Sequence, residues 1–148
     1  MILEPNILLS FGLPIDETTD TSLLESAIEN AEMITISEAI GADNLERLNE
    51  LKTDNPNSAI LNGGSANETR VAGYYRASSY LAMSQLLFLC DTQVTSFGAV
   101  KKKTDYSNSV NPWDSAKRYE AMGLKMLADL CKVLGWEYNT PTTLTTEI

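Results

Sequence analysis

Ala77-Ser78-Ser79-Tyr80-Leu81-Ala82-Met83-Ser84-Gln85-Leu86-Leu87-Phe88-Leu89-Cys90 runs for 14 residues without a charge. With the residues just before it, Val71, Tyr74, Tyr75, Ser78, Leu81, Ala82, Leu86 and Leu89 fall on one helical face, while Tyr80, Met83, Leu87 and Phe88 point elsewhere. A helix that is apolar nearly all round is buried on several sides. The run is too short to span a bilayer, and Ser78, Ser79, Ser84 and Gln85 make it too polar. It reads as the central helix of a helical bundle. Its expected start is a capping box, Ser65-x-x-Glu68, and its expected end is near Asp91.

A second helix is expected before it, from a capping box at Ser22-x-x-Glu25 to Ile40, stopping at Gly41. At 100° per residue, Leu23, Leu24, Ala27, Ile28, Ala31 and Ile34 share its core face. Glu25, Glu29 and Glu32 gather opposite, and no Lys or Arg relieves them. Met33, Ile36 and Ile40 form a second apolar strip that one core face does not explain. A short helix over 44–51, with Asp43 as N-cap, aligns Leu45, Leu48 and Leu51. The last helix opens with Asn111 as N-cap and Pro112 at its first position, and ends near Leu134 before Gly135. Its core face carries Ala116, Tyr119, Gly123, Met126, Leu127, Leu130 and Leu134, and Lys117, Arg118, Lys125 and Lys132 line the other side.

Between the last two helices, Val94 to Val100 is β-prone and precedes Lys101-Lys102-Lys103, so a small β-arm is expected at about 92–111. Residues 1–21 read as an extended arm interrupted by Pro5 and Pro14, and residues 136–148 as a Thr-rich tail with Trp136 and Tyr138. The fold class is therefore mainly α. It is a bundle of about three long helices and one short helix over 22–135, with extended termini.

The 148 residues suit one domain, and 43% hydrophobic with 21% charged content excludes bulk disorder. Net charge is −9, unevenly spread. Residues 1–69 hold 13 acids and 2 bases, and residues 70–148 hold 7 acids and 9 bases. So acidic a chain is a poor free nucleic-acid binder, but its two halves could attract one another across neighbouring copies. The plainer reading of the same charges is solubility.

There is no His and no Cys-x-x-Cys, which leaves zinc, haem and His-based nucleophilic catalysis without support. Asp16, Glu17 and Asp20 lack the calcium-loop pattern and read as a solvated loop. Gly63-Gly64-Ser65 is not a phosphate-binding loop, since Lys does not follow at the required spacing. Cys90 and Cys131 read as buried thiols of a reducing compartment, with a bridge between them as the alternative. The N-terminus has no positively charged signal-peptide region, so synthesis in the cytoplasm is expected. No catalytic residue, metal site or cofactor is expected.

The order of elements resembles the head–tail connector, adaptor or neck-ring proteins of tailed bacteriophages. It is most similar to those of crAss-like phages of gut bacteria. The residues that carry the likeness are Ser22-Leu23-Leu24-Glu25-Ser26-Ala27-Ile28-Glu29-Asn30-Ala31, Tyr74-Tyr75-Arg76-Ala77 and Val94-Thr95-Ser96-Phe97-Gly98-Ala99-Val100, followed by the last amphipathic helix. The resemblance covers about residues 16–135. It implies a virion protein that forms a ring, commonly dodecameric, under the portal. Such a ring extends the DNA channel and meets the next neck or tail protein, with DNA only passing through and no membrane involved. On this reading Glu25, Glu29, Glu32, Ile36, Lys117, Arg118, Lys125 and Lys132 form subunit contacts. Val94, Phe97, Lys101, Lys102, Lys103, Trp136 and Tyr138 meet the portal or line the channel arm. The alternative is a small cytoplasmic helical regulator, monomeric or dimeric, that binds another protein.

Overall fold

The computed structural model describes residues 1–16, 18–95, 98–101 and 112–142, with side-chain packing for 1–16, 18–89 and 114–142. The fold is mainly helical with small antiparallel hairpins.

Helix α6 (Tyr74–Asp91) is the axis of the molecule, and α7 (Pro112–Leu134) packs along it. Gly123 lies against Ala77 and Leu81, and the Tyr119 ring meets Tyr80 edge-on with centroids 5.7 Å apart. Residue numbers rise on one helix as they fall on the other, so the pair is antiparallel. Gly123 permits the close approach: a Cβ there would lie 2.8 Å from Leu81 Cγ. Ala77, Ser78, Ser79, Leu81, Ala82, Met83, Ser84 and Leu86 are all buried, as the all-round apolar pattern requires. Ser78 and Ser84 bond back to the carbonyls of Tyr74 and Leu81, both at 2.8 Å, which removes the cost of burying their hydroxyls.

Helix α6 begins at Tyr74, not at Ser65. The segment read as a capping box is instead a hairpin of β1 (Gly64–Ala66) and β2 (Thr69–Val71), with Ala66 paired to Thr69. Asn67 and Glu68 both have positive φ, 49° and 65°, as a two-residue turn of the primed type demands. Before it lies α5 (Ala59–Asn62), capped by the Ser58 side chain. The hairpin brings Gly63 and Gly73 backbone against backbone. A Cβ on Gly63 would lie 2.6 Å from the Ala72 carbonyl oxygen.

The first long helix runs from Thr21 to Ile40 in three parts: α2 (Thr21–Asn30), a π-helical stretch Ala31–Ile36, and α3 (Ser37–Ile40). Its N-cap is Asp20, whose carboxylate accepts the Ser22 N–H at 2.9 Å, and not Ser22. The buried positions fall at Leu24, Ile28, Glu32, Ile36 and Ile40 and at Ala27, Ala31, Thr35 and Ala39. That spacing is 4 residues, and a straight α-helix would carry such a stripe round by about 40° per turn. The wider i→i+5 turn takes up the drift and keeps the stripe on the core. Glu32 and Ile36 are consequently buried, while Met33 and Ile34 are exposed. This corrects the expectation that Glu32 is solvated and Ile34 is core.

Helix α4 (Ala42–Asp54) is longer than expected and follows Gly41, without a side-chain cap at Asp43. Leu48 is buried, and Leu45 and Leu51 are packed beside it. The N-terminal segment is not a loose arm. Pro5 sits in the first turn of α1 (Pro5–Ser10), where its missing N–H costs nothing, and Ile2, Leu3 and Leu8 enter the core. Each such burial contributes roughly 1.5–3 kcal/mol.

The C-terminal tail also folds back as far as Thr142. Gly135, at φ 73°, ends α7, and Trp136 N–H reaches the Cys131 carbonyl at 2.9 Å. Asn139 N–H then donates to the Ala39 carbonyl at 2.8 Å, and Thr142 N–H to Glu38 Oε1 at 3.2 Å. The β-arm is present as β3 (Thr92–Thr95) and β4 (Gly98–Lys101), with Val94 opposite Ala99.

Candidate interaction surfaces

The π-helical stretch creates two neighbouring features. Inward, Glu32 is 3% exposed and holds the chain's own N-terminus. Its two oxygens accept the Ile2 N–H at 3.0 and 3.2 Å, and Oε2 accepts the Leu3 N–H at 3.1 Å and the Tyr74 hydroxyl at 2.5 Å. Lys52 completes the clasp, donating to the Ile2 carbonyl at 2.8 Å and pairing with Glu4 at 3.3 Å. Burial, then the Glu32 charge, pushes the Tyr74 phenol well above its ordinary pKa, so it stays a hydrogen-bond donor. The arrangement is a main-chain clamp. Tyr74 has no solvent access, and it is fully committed to holding Glu32.

Outward, Met33 is 69% and Ile34 62% exposed. Along the same helix surface Glu25, Glu29 and Glu38 are exposed. Beside this stripe, Met1, Ile2, Met33, Ser37, Leu45 and Glu46 help to line an open, mainly apolar cleft of about 290 Å³. Helix α7 presents a second stripe: Asp114, Arg118, Met122, Lys125, Asp129 and Lys132 are all exposed, with Met122 at 41%. α2 and α7 each pack on α6, and each stripe lies on the exposed face of its own helix.

Of the expected subunit contacts, Glu25, Glu29, Arg118, Lys125 and Lys132 are exposed and Lys117 half-buried. Glu32 and Ile36 are withdrawn into the core and cannot touch a neighbour in this state. Trp136 and Tyr138 are half-buried against the chain's own core rather than carried on a free tail. Val94 and Lys101 lie in the hairpin strands. Phe97, Lys102, Lys103 and the expected N-cap Asn111 lie outside the described residues. From Ala77 to Leu89 the central helix is buried or half-buried within the chain. Among the described residues the exposed large apolar side chains are Met33, Ile34, Met122, Met1 and Leu9.

Asp16 accepts the Thr18 N–H and hydroxyl, both at 2.9 Å, bonds that hold its carboxyl below the usual range. Asp20 caps α2, so both acids serve local turns. Among the described residues no three His, Cys, Asp or Glu groups converge as metal ligands, and no helix is long and apolar enough to cross a membrane. Cys131 is a buried thiol pushed up to about 11 by burial. Comparison with protein-family models, with curated proteins and with solved structures found no match.

Sequence reading misses the roles of Lys52 and Tyr74 and the exposure of Ile34; it sets Met33 off the core face, but together with Ile36 and Ile40, which are buried. One signal for them was present: Glu32 stands at the centre of the series Leu24, Ile28, Glu32, Ile36, Ile40, whose other members are all apolar.

Proposed function

We propose that the chain is a structural protein of a tailed-bacteriophage virion. In this reading it forms a ring at the head–tail junction, docks to the portal and extends the DNA channel toward the tail. One observation carries the reading beside the order of elements. The subunit has two unlike outer stripes, an acidic one centred on Met33 and Ile34 and a mixed, net-positive one centred on Met122, where Arg118, Lys125 and Lys132 outnumber Asp114 and Asp129. Unlike faces on one subunit are what a head-to-tail ring uses, whereas a two-fold dimer pairs a face with itself. The β3–β4 hairpin stands between α6 and α7 in chain order, the position that the resemblance gives to an arm meeting the portal or the channel. The acidic chain suits a channel through which DNA must pass without being gripped.

The test is coexpression with the portal protein of the same genome, followed by electron microscopy of the purified particles. The reading predicts an added ring on the portal. Portal particles without extra density, and a chain that elutes apart from them, would overturn it and favour the regulator.

A further inference from the structure

We infer that the outer stripe of α2 and the π-helical stretch docks on the outer stripe of α7 in a second copy of this chain. The inference rests on the ring reading and names its contact. Each stripe is about 20 Å long, taking 1.5 Å per residue over Glu25 to Glu38 and over Arg118 to Lys132. Each has one apolar centre, Met33 with Ile34 on the first and Met122 on the second. The first stripe carries Glu25, Glu29 and Glu38 and no cation. The second carries Arg118, Lys125 and Lys132, with Asp114 and Asp129 between or beyond them.

Charge decides the occupant and the direction. Two copies of the first stripe repel, so a two-fold contact through it is disfavoured. An antiparallel crossing that places Met33 over Met122 sets Glu29 opposite Lys125 and Glu38 opposite Arg118. The parallel crossing with the same centre sets Glu29 opposite Arg118 but Glu25 opposite Asp114, and leaves Glu38 between Lys125 and Asp129, so it gains one clear favourable pair. The antiparallel arrangement places Glu25 near Asp129, one unfavourable pair against two favourable ones. Met33 and Ile34 then leave water against Met122 and the aliphatic stems of Lys125 and Arg118. Because the π-helical stretch turns these two side chains outward, it serves the contact as well as the clamp.

The experiment is a charge exchange in the full chain. Glu29→Lys/Met33→Lys makes the centre of the first stripe basic, and Met122→Glu/Lys125→Glu makes the centre of the second acidic. All four positions are exposed, and melting curves confirm that each variant folds. Sedimentation at low salt should show each variant alone at least tenfold weaker in self-association than the unaltered chain. An equimolar mixture should assemble again, because each variant then offers the other opposite charge on both stripes. The single pair Glu29→Lys and Lys125→Glu, mixed in the same way, supplies a milder version should either double variant melt early. Variants that assemble alone like the unaltered chain, or a mixture that stays apart while the unaltered chain assembles, would overturn this contact and leave the ring standing. An unaltered chain that stays monomeric, with portal or without, would remove both.

Discussion

The Tyr74 hydroxyl lies 2.5 Å from Glu32 Oε2, deep under the N-terminal segment. The pair joins the central helix to the π-helical stretch, and the same carboxylate holds Ile2 and Leu3 through their N–H groups. A buried carboxylate is costly unless its lone pairs are filled, and here four donor contacts fill them.

Removing either partner should therefore destabilise the fold, unequally. Glu32→Ala strands two N–H groups and a phenol, so a loss of about 3–5 kcal/mol is expected. Tyr74→Phe leaves the carboxylate its main-chain donors and should cost about 2 kcal/mol. Urea denaturation of both variants and of the double variant closes the cycle, and a coupling of about 1–3 kcal/mol is expected. Strict additivity would show that the contact contributes nothing.

Stability should fall on the alkaline side. Burial raises Cys131 from 9.0 to about 11 and raises Tyr74 above 10.0. A raised folded-state pKa contributes stability that is complete below the unfolded value and is lost as pH rises through the folded one. The Cys131 contribution is thus intact below pH 9 and lost through about pH 11, while the Tyr74 loss begins above pH 10. Melting temperatures should hold from pH 7 to 9 and then drop. Cys131→Ala should lower the neutral value but flatten the drop between 9 and 11. An equally steep drop in that variant would assign it to other groups.

The β1–β2 turn offers a stabilising change and a damaging one. Glu68 holds φ 65°, which glycine adopts without strain, so Glu68→Gly should stabilise by about 0.5–1 kcal/mol. Gly73→Ala should cost more than about 2 kcal/mol, because its Cβ would meet the Gly63 nitrogen and sit 2.8 Å from the Leu61 carbonyl oxygen. Thermal melts of the two variants should move in opposite directions. A Gly73→Ala protein as stable as the original would show that the close approach is not required.

The sequence was most legible where one period ran unbroken. Ala77 to Leu89 read as a central helix, and so it is. Ala116, Gly123, Leu127 and Leu130 read as the core face of the last helix, and all are buried. Reading failed where a local signal had two meanings. Ser65-x-x-Glu68 fits a capping box, yet positive φ at Asn67 and Glu68 closes a hairpin there. Pro5 was read as a breaker, although at a first turn it starts a helix. The fixed 100° step failed at Ala31–Ile36, where the wider turn moved Glu32 inward and Ile34 outward. The exposure of Ile34 lay beyond reach for the same reason, whereas Met33 already fell outside the core face. From sequence alone Trp136 and Tyr138 read as partner anchors. Their return to the core depends on the Gly135 reversal and the Asn139–Ala39 bond, a long-range contact that no local pattern encodes.

The central claim is that copies of this chain associate through unlike, oppositely charged faces. Native mass spectrometry of the full chain, sprayed from low and then high volatile salt, tests it most directly. The account predicts one closed oligomer at low salt that shifts toward monomer at high salt, since exposed ion pairs are screened beyond about 10 Å at 0.1 M. A monomer at every salt and protein concentration would contradict it.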